Sequence, residues 1–252
     1  MDASFLNREK PLLTVMLQCR TPETAIGRIR NANCLGADAY GLQAESLQPE
    51  YQNEETYKAI FAEGRGRPFY VTNYRTASNC GKTDEELASG LITLSESGAT
   101  LCDVMGDMFC KHPEELTDNA GAIQRQIELI DRLHSLGSEV LMSSHLYNYA
   151  PAERVLEIAF EQKRRGADII KIVTAADNME QQIENLRITD LLSKELGAPF
   201  LFLSGGECRI HRRLGITLGC CMALCVLEHD ALSTAAQPLL STMKQVRDTL
   251  DF

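Results

Sequence analysis

The chain has 252 residues, of which 44% are hydrophobic and 24% are charged, proportions typical of a soluble globular protein. Its formal net charge of −10 disfavours non-specific binding to nucleic acid. No apolar run approaches the ~20 residues that a membrane span needs, and the N-terminus lacks the apolar core of a signal peptide. We therefore expect a cytoplasmic protein without a nucleic-acid or membrane partner.

Eight short apolar runs are the predicted strands. Most are bounded by Gly, Pro or Asp, and they do not alternate cleanly with polar residues, which is typical of strands covered on both faces. They cover residues 12–19, 37–44, 67–75, 100–106, 139–145, 168–175, 199–206 and 219–227.

Helical patterns occupy the segments between these runs. Helix starts are indicated at Pro22, at the capping box Thr83–Glu86 and at Pro151, where a proline is tolerated. Apolar residues at helical spacing and terminal glycines indicate the remaining helices and their ends. The predicted ranges include 119–136, 151–165, 178–196 and 238–250.

Strand and helix alternate along the whole chain without a linker or a break in composition. This order implies parallel strands joined by right-handed crossovers. Eight such units in about 250 residues predict an α/β fold of the (β/α)8 TIM-barrel class, with residues 1–252 as a single domain. The competing fold is a doubly wound open sheet, which usually has fewer strands, and no GxGxxG follows the first strand.

The cysteines indicate buried free thiols in a reducing compartment. There are nine of them, an odd number without a CxxC pair, and several lie in apolar runs. The adjacent Cys220 and Cys221 would point to opposite faces of a strand, which is poor geometry for a metal site. We predict no metal and no other cofactor.

Lys171 is the most informative residue, because it lies among isoleucines and valine in the middle of a predicted buried strand. A buried, unpaired charge costs several kcal/mol, so lysines usually avoid such positions. Burial of an amine lowers its pKa and makes the neutral nucleophile available, which suits Schiff-base chemistry. The alternative is a structural lysine that pairs with a buried carboxylate.

Three further residues lie where barrel enzymes place their chemistry, at the C-terminal ends of strands. His145 ends predicted strand five, Arg75 ends predicted strand three, and Arg212 follows predicted strand seven. Beside an iminium, the imidazole of His145 could remove a proton from the neighbouring carbon. Taken alone, a histidine at a strand end is more often a hydrogen-bonded structural residue.

Four segments resemble the type I 3-dehydroquinate dehydratases, which are metal-free (β/α)8 barrels. GADIIKIV (166–173) is similar to their GADI-x-KIA motif, and SSHLYNYAP (143–151) to their Ser-x-His motif. RIHRRLGITLGC (209–220) is similar to their arginine segment after strand seven, and STAAQ (233–237) to their closing SAPGQ loop. The resemblance runs from strand one to strand eight and is most specific in the C-terminal half.

The resemblance implies roles for seven residues. Lys171 would form the Schiff base, His145 would be the acid–base catalyst, and Arg212 would bind the substrate carboxylate. The remaining substrate contacts would come from Arg75, Ser233, Gln237 and Gln43.

The N-terminal half departs from the family pattern. The Glu-x-Arg-x-Asp motif of strand two reads Gly41-Leu-Gln43-Ala-Glu45, and the glutamate of strand four is Met105. The Glu-Gly-Gly that follows the strand-three arginine is Asn79-Cys80-Gly81, and the aspartate after the histidine is Leu146. The sequence thus predicts that the imine-forming and carboxylate-binding residues are retained, whereas the acids that support the histidine and bind the diol are lost.

The leading hypothesis is a lyase that dehydrates 3-dehydroquinate, or a related hydroxylated keto acid, through a lysine Schiff base. One alternative is a lysine aldolase on the same barrel, and another is a degenerate barrel that binds a keto acid without turnover. The expected partner is a small anionic keto acid. The sequence leaves a homodimer open.

Overall fold

Eight parallel strands form one curved sheet in a computed structural model that describes residues 3–207 and 209–249. All eight predicted strands are present, and none of their ends differs from the predicted one by more than three residues. Their bounds are β1 Leu12–Leu17, β2 Ala39–Gln43, β3 Phe69–Thr72, β4 Leu101–Met105, β5 Glu139–His145, β6 Ile169–Ala176, β7 Phe200–Gly206 and β8 Met222–Cys225.

The sheet is a nearly closed barrel. Its strand order is β7-β6-β5-β4-β3-β2-β1-β8, so β1 pairs with both β2 and β8. Where β7 and β8 meet, the backbone N–H of Cys221 donates to the carbonyl of Phe200 at 2.9 Å. The predicted (β/α)8 TIM barrel is confirmed.

Helices alternate with the strands and cover the outside of the barrel. Their bounds are α1 Pro22–Leu35, α2 Glu54–Ala62, α3 Asp84–Glu96, α4 Ala120–Ser135, α5 Ala152–Arg164, α6 Met179–Glu195, α7 Arg209–Leu214 and α8 Leu240–Thr249. Short 3₁₀ turns occur at Ala44–Ser46, Pro49–Tyr51, Ala77–Asn79 and Gly215–Leu218. The predicted end of the last helix at Leu250 lies outside the described residues. No helix in the described ranges has the length and apolar character to cross a membrane.

Side-chain caps explain several of the helix starts. The predicted capping box is present, with Thr83 accepting from the N–H of Glu86 and the Glu86 carboxylate accepting from the N–H of Thr83. Asn53 caps α2, a helix that the sequence patterns did not single out. Pro151 is the residue before α5 rather than its first helical residue.

The strands are buried along nearly their whole length, as their continuous apolar runs predicted. Their side chains alternate between the barrel interior and the layer of helices. Polar residues interrupt the apolar interior towards the C-terminal ends of the strands, and the candidate site lies there.

Candidate active site

Lys171 lies in β6 and projects into the barrel interior, where only 4% of the residue is exposed. Its Nζ donates to the hydroxyl of Tyr74 at 2.7 Å, to the hydroxyl of Tyr70 at 2.9 Å and to Oδ2 of Asp103 at 3.0 Å. Lys171 therefore has a buried carboxylate partner, which is what the alternative of a purely structural lysine predicted. A buried amine with a matched anion is also held in one place, as a nucleophile must be.

Asp103 lies in β4 and gathers four donors around one carboxylate that is 1% exposed. Ser143 donates to its Oδ1 at 2.5 Å, and Tyr74 donates to its Oδ2 at the same distance. Tyr70 and Lys171 are its other partners. Burial, and then the charge of Asp103, raise the pKa values of Tyr70 and Tyr74 well above the ordinary value for a phenol.

His145 ends β5, as predicted, and its imidazole has an acidic partner. Nδ1 of His145 lies 2.6 Å from Oε2 of Glu115, which also accepts from the backbone N–H of His145 at 3.1 Å. The expectation that no acid supports this histidine is wrong. The supporting carboxylate comes from the loop after β4, so the residue that follows His145 gives no sign of it.

Close packing and one buried arginine fix the loop that carries Glu115. A Cβ on Gly106 would lie 2.5 Å from the carbonyl oxygen of Glu115, so only glycine allows this approach. Arg165, 2% exposed, donates to the carbonyls of Gly106 and Thr117, on either side of Glu115. Glu115 itself has φ +47, a left-handed conformation that is uncommon for glutamate.

A cavity of about 190 Å³ lies at the C-terminal mouth of the barrel, directly over Lys171. It brings together five of the seven predicted site residues, contributed by five different regions of the chain. They are Gln43, His145, Lys171, Arg212 and Gln237. Tyr70, Thr72, Tyr74 and Thr234 are among its other lining residues.

Arg75 lies outside this cavity. Strand β3 ends at Thr72 rather than at Arg75, and the side chain that faces Lys171 is Tyr74. Arg75 makes a bidentate contact with Asp84 at 2.7 and 2.8 Å and a further contact with Asp107 at 2.7 Å. It lines a neighbouring cavity of about 470 Å³, which shares Tyr74 and His145 with the first.

Ser233 also lies away from Lys171. Its hydroxyl accepts from the backbone N–H of Asp230 at 2.8 Å and donates to the carbonyl of Asp230 at 3.1 Å, closing a turn. The next residue, Thr234, lines the cavity in its place and accepts from Gln18 at 3.1 Å. A one-residue difference in register separates the predicted hydroxyl from the one that the cavity contains.

Arg212 reaches the cavity from α7. Its Nε donates to the carbonyl of Ser204 at 2.6 Å. The neighbouring His211 is fully buried, with Nδ1 2.6 Å from the hydroxyl of Ser204 and Nε2 2.8 Å from that of Thr189. Burial, and then the charge of Arg212, lower the pKa of His211 to about 4, so this imidazole is neutral and structural.

A buried lysine, a carboxylate-supported histidine and an arginine now share one cavity at the C-terminal mouth of a (β/α)8 barrel. A family model described as type I 3-dehydroquinase matches residues 13–252. This chain belongs to the type I 3-dehydroquinase family. The resemblance noted in the sequence is confirmed, and the chain is a hydro-lyase of the 3-dehydroquinate dehydratase type.

Solved 3-dehydroquinate dehydratases share the fold of this family member. The enzyme from Geobacillus kaustophilus is 16% identical with a TM-score of 0.81, covering 95% of this chain and 91% of its own. The type I enzyme from Clostridium difficile, with covalently modified comenic acid, is 16% identical with a TM-score of 0.80, covering 96% and 92%. The enzyme from Enterococcus faecalis is 15% identical with a TM-score of 0.79, covering 100% of both chains. No curated protein sequence matches this chain.

Gly41 stands where the family has its strand-two glutamate, and two side chains pack closely against it. A Cβ on Gly41 would lie 2.3 Å from Sδ of Met16 and 3.1 Å from the ring of Tyr70. A longer side chain at this position would require Met16 to move. Two further positions along, Gln43 presents an amide to the cavity.

Glu45 is the acid that remains at the end of this strand-two motif. It is 1% exposed, and both of its carboxylate oxygens accept from the hydroxyl of Thr72 at 2.9 Å. Burial raises the pKa of Glu45 to about 7 despite these hydrogen bonds. It does not line the cavity, but it contacts two residues that do, Gln43 and Thr72.

Four residues of this site were not predicted from the sequence: Tyr70, Tyr74, Asp103 and Glu115. The period of two along β3 was a usable signal for the first two, because Tyr70, Thr72 and Tyr74 alternate with apolar or outward residues. A buried lysine also required an anion, and Asp103 lies in the middle of another predicted apolar strand. Nothing local to Glu115 indicated its contact with His145.

Proposed function

We propose that this chain dehydrates 3-dehydroquinate to 3-dehydroshikimate through a Schiff base on Lys171. The observation that carries the proposal is that Lys171, His145 and Arg212 line a single small cavity. The membership of the chain in the type I 3-dehydroquinase family supports the same substrate.

The order of steps follows from the chemistry of an imine. The amine of Lys171 condenses with the substrate ketone and releases water, and the resulting iminium acidifies the adjacent carbon. His145 then removes a proton from that carbon, and the enamine expels the β-hydroxyl as a second water. Hydrolysis of the conjugated iminium frees the enone and the lysine.

Glu115 suits His145 to the role of base. A proton on Nδ1 that is shared with Glu115 leaves Nε2 as the basic nitrogen and fixes the plane of the ring. The ring also packs edge-on against Tyr74, with centroids 5.5 Å apart at 84°. Two contacts thus hold the imidazole at the cavity wall.

Substrate binding would rest on one cation and several neutral groups. Arg212 would hold the carboxylate, because a guanidinium matches a planar anion. Gln237 is 6% exposed and its Oε1 has no hydrogen-bond partner within the described residues, so a substrate hydroxyl would satisfy a buried acceptor. Satisfying such a group is worth roughly 1–3 kcal/mol. Gln43 and Thr234 would offer further polar contacts.

The test is borohydride reduction in the presence of 3-dehydroquinate, followed by peptide mass spectrometry. The proposal expects an adduct on Lys171, enone formation without reductant, and loss of both in Lys171→Met. The surface variant Lys194→Met, which removes only an ion pair with Asp190 on α6, is the matched control. An adduct on another lysine would refute the assignment.

The products separate the remaining alternatives. Cleavage to an aldehyde fragment would identify a lysine aldolase instead. Binding of 3-dehydroquinate without any product would identify a degenerate binding barrel. Either result would overturn the proposed dehydration.

A further inference from the structure

The hydroxyl of Tyr74 lies at the centre of the contacts around the reactive amine. It accepts from Nζ of Lys171 at 2.7 Å and donates to Oδ2 of Asp103 at 2.5 Å, and it lies 3.4 Å from Oγ of Ser143. Unlike Tyr70, which is 0% exposed, Tyr74 is only partly buried and lines both cavities that meet at His145. It can therefore contact a bound substrate and the lysine together.

Formation of an imine requires several proton transfers near the nitrogen. An ammonium must lose a proton before it can attack, and the carbonyl oxygen must gain two protons before it leaves as water. Asp103 is the only carboxylate in contact with Nζ within the described residues. Its Oδ2 reaches the substrate side of Lys171 through the hydroxyl of Tyr74.

We propose that Tyr74 and Asp103 form a proton relay that makes and hydrolyses the Schiff base on Lys171, separately from the proton abstraction by His145. The inference rests on the proposed function. It makes Tyr74 a catalytic residue, because its hydroxyl contacts the reacting nitrogen.

The relay returns every group to its starting state. Asp103 takes one proton from the Lys171 ammonium, and the free amine attacks the ketone carbon, forming the C–N bond and leaving an alkoxide. Tyr74 accepts a proton from the nitrogen as it donates its own to the alkoxide, which yields a neutral carbinolamine. The proton on Asp103 then passes through Tyr74 to the carbinolamine hydroxyl. The C–O bond breaks, water leaves, and the nitrogen lone pair forms the iminium beside a regenerated Asp103 carboxylate.

The electrostatics suit a group that passes protons without ionising. Burial and the Asp103 charge raise the pKa of Tyr74 well above its ordinary value, so the phenol stays protonated beside the carboxylate. A neutral phenol that accepts and donates in one motion never carries a charge. Tyr70 contacts the same two groups. It lines the cavity over Lys171 but not the neighbouring one, and none of its surface is exposed, so we assign it the role of holding Asp103 and Lys171 in place.

The experiment measures imine formation separately from dehydration. Wild type, Tyr74→Phe and Tyr70→Phe are mixed with 3-dehydroquinate and quenched with borohydride at successive times, and the adduct on Lys171 is quantified. Tyr74→Phe should slow adduct formation about 10²-fold or more, the range of a lost acid–base group. Tyr70→Phe, which removes an equal hydroxyl from the same two partners, should slow it less.

A second readout separates chemistry from a merely structural effect. With substrate deuterated at the carbon that loses its proton, any isotope effect on turnover should shrink in Tyr74→Phe, because imine formation becomes limiting. His145→Ala should behave in the opposite way, forming the adduct readily but dehydrating slowly. Should Tyr74→Phe fail to fold, Asp103→Asn tests the same relay and should slow the same step.

The outcomes distinguish this relay from the proposed function. Adduct formation in Tyr74→Phe at the wild-type rate, or an equal loss in Tyr70→Phe, overturns the relay and leaves the Schiff base intact. Absence of any adduct on Lys171 in wild type overturns the proposed function and the relay together.

Discussion

Nδ1 of His145 lies 2.6 Å from Oε2 of Glu115, a residue thirty positions earlier in the chain on the loop that follows β4. The contact orients the imidazole and places the shared proton on the side away from the basic nitrogen. Glu115, on the loop after β4, takes the place of the acid that is missing directly after His145.

Glu115→Gln should therefore lower kcat with little change in KM. The amide keeps the size and one acceptor, but it cannot stabilise the imidazolium that forms when His145 takes a proton. We expect a loss of about 10-fold or more, below the ~10²–10⁴-fold of removing the imidazole itself. Glu114→Gln is the matched control, because Glu114 pairs with Arg154 on the surface. Equal kcat values for the two variants would contradict the role of Glu115.

Arg75 should matter for stability more than for substrate binding. Its guanidinium is held by Asp84 and Asp107, which link the loop after β3 to the start of α3 and the loop after β4. Arg75→Met should reduce the free energy of unfolding by about 2 kcal/mol or more, because it leaves two partly buried carboxylates without their donor. Urea unfolding and steady-state kinetics decide between the roles. A large rise in KM without destabilisation would restore the substrate contact that the sequence suggested.

Arg212 should account for recognition of the substrate carboxylate. Charge-assisted hydrogen bonds of this kind are worth roughly 1.5–3 kcal/mol, so Arg212→Ala should raise KM by about 10–100-fold. Arg212→Lys should do nearly the same, because it keeps the charge but loses the planar fork. Arg213→Ala is the control, since Arg213 lines a different cavity and donates to the carbonyl of Arg209 at 3.1 Å. A greater loss at Arg213 would transfer the role to it.

Glu45 should give the stability of the protein a distinctive pH dependence. Its pKa is raised from 4.5 to about 7 in the folded state, so the folded chain binds the proton more tightly than the unfolded chain. This contribution to stability is complete below the unfolded pKa and is lost as pH rises to about 7. His211, with its pKa lowered from 6.5 to about 4, acts in the opposite direction, adding stability as pH rises from about 4 to 6.5.

A comparison of wild type with Glu45→Gln isolates the first effect, because the contribution of His211 cancels in the difference. The stability of wild type relative to the variant should fall as pH rises through this window, by at most about 1.4 kcal/mol per pH unit. Urea unfolding at fixed ionic strength measures the difference. Parallel curves for the two proteins would show that Glu45 does not titrate in this range.

The sequence by itself determined the fold and the identity of the buried lysine. Eight apolar runs alternating with helical patterns specify parallel strands, and each run is a strand of the barrel. Lys171 was recognisable because a charged side chain inside an apolar strand contradicts the local pattern. Such signals are periodic or local in the chain, and local patterns are what a sequence displays directly.

The tertiary structure decided which side chains surround that lysine. Tyr74 rather than Arg75 faces the interior because β3 ends early and successive side chains point in opposite directions, so a register error of one residue exchanges the two. Glu115 meets His145 only because the loop after β4 folds back over β5, through Gly106 and the buried Arg165. Contacts between residues distant in the chain depend on the closure of the barrel and on loop packing, and neither leaves a periodic trace in the sequence.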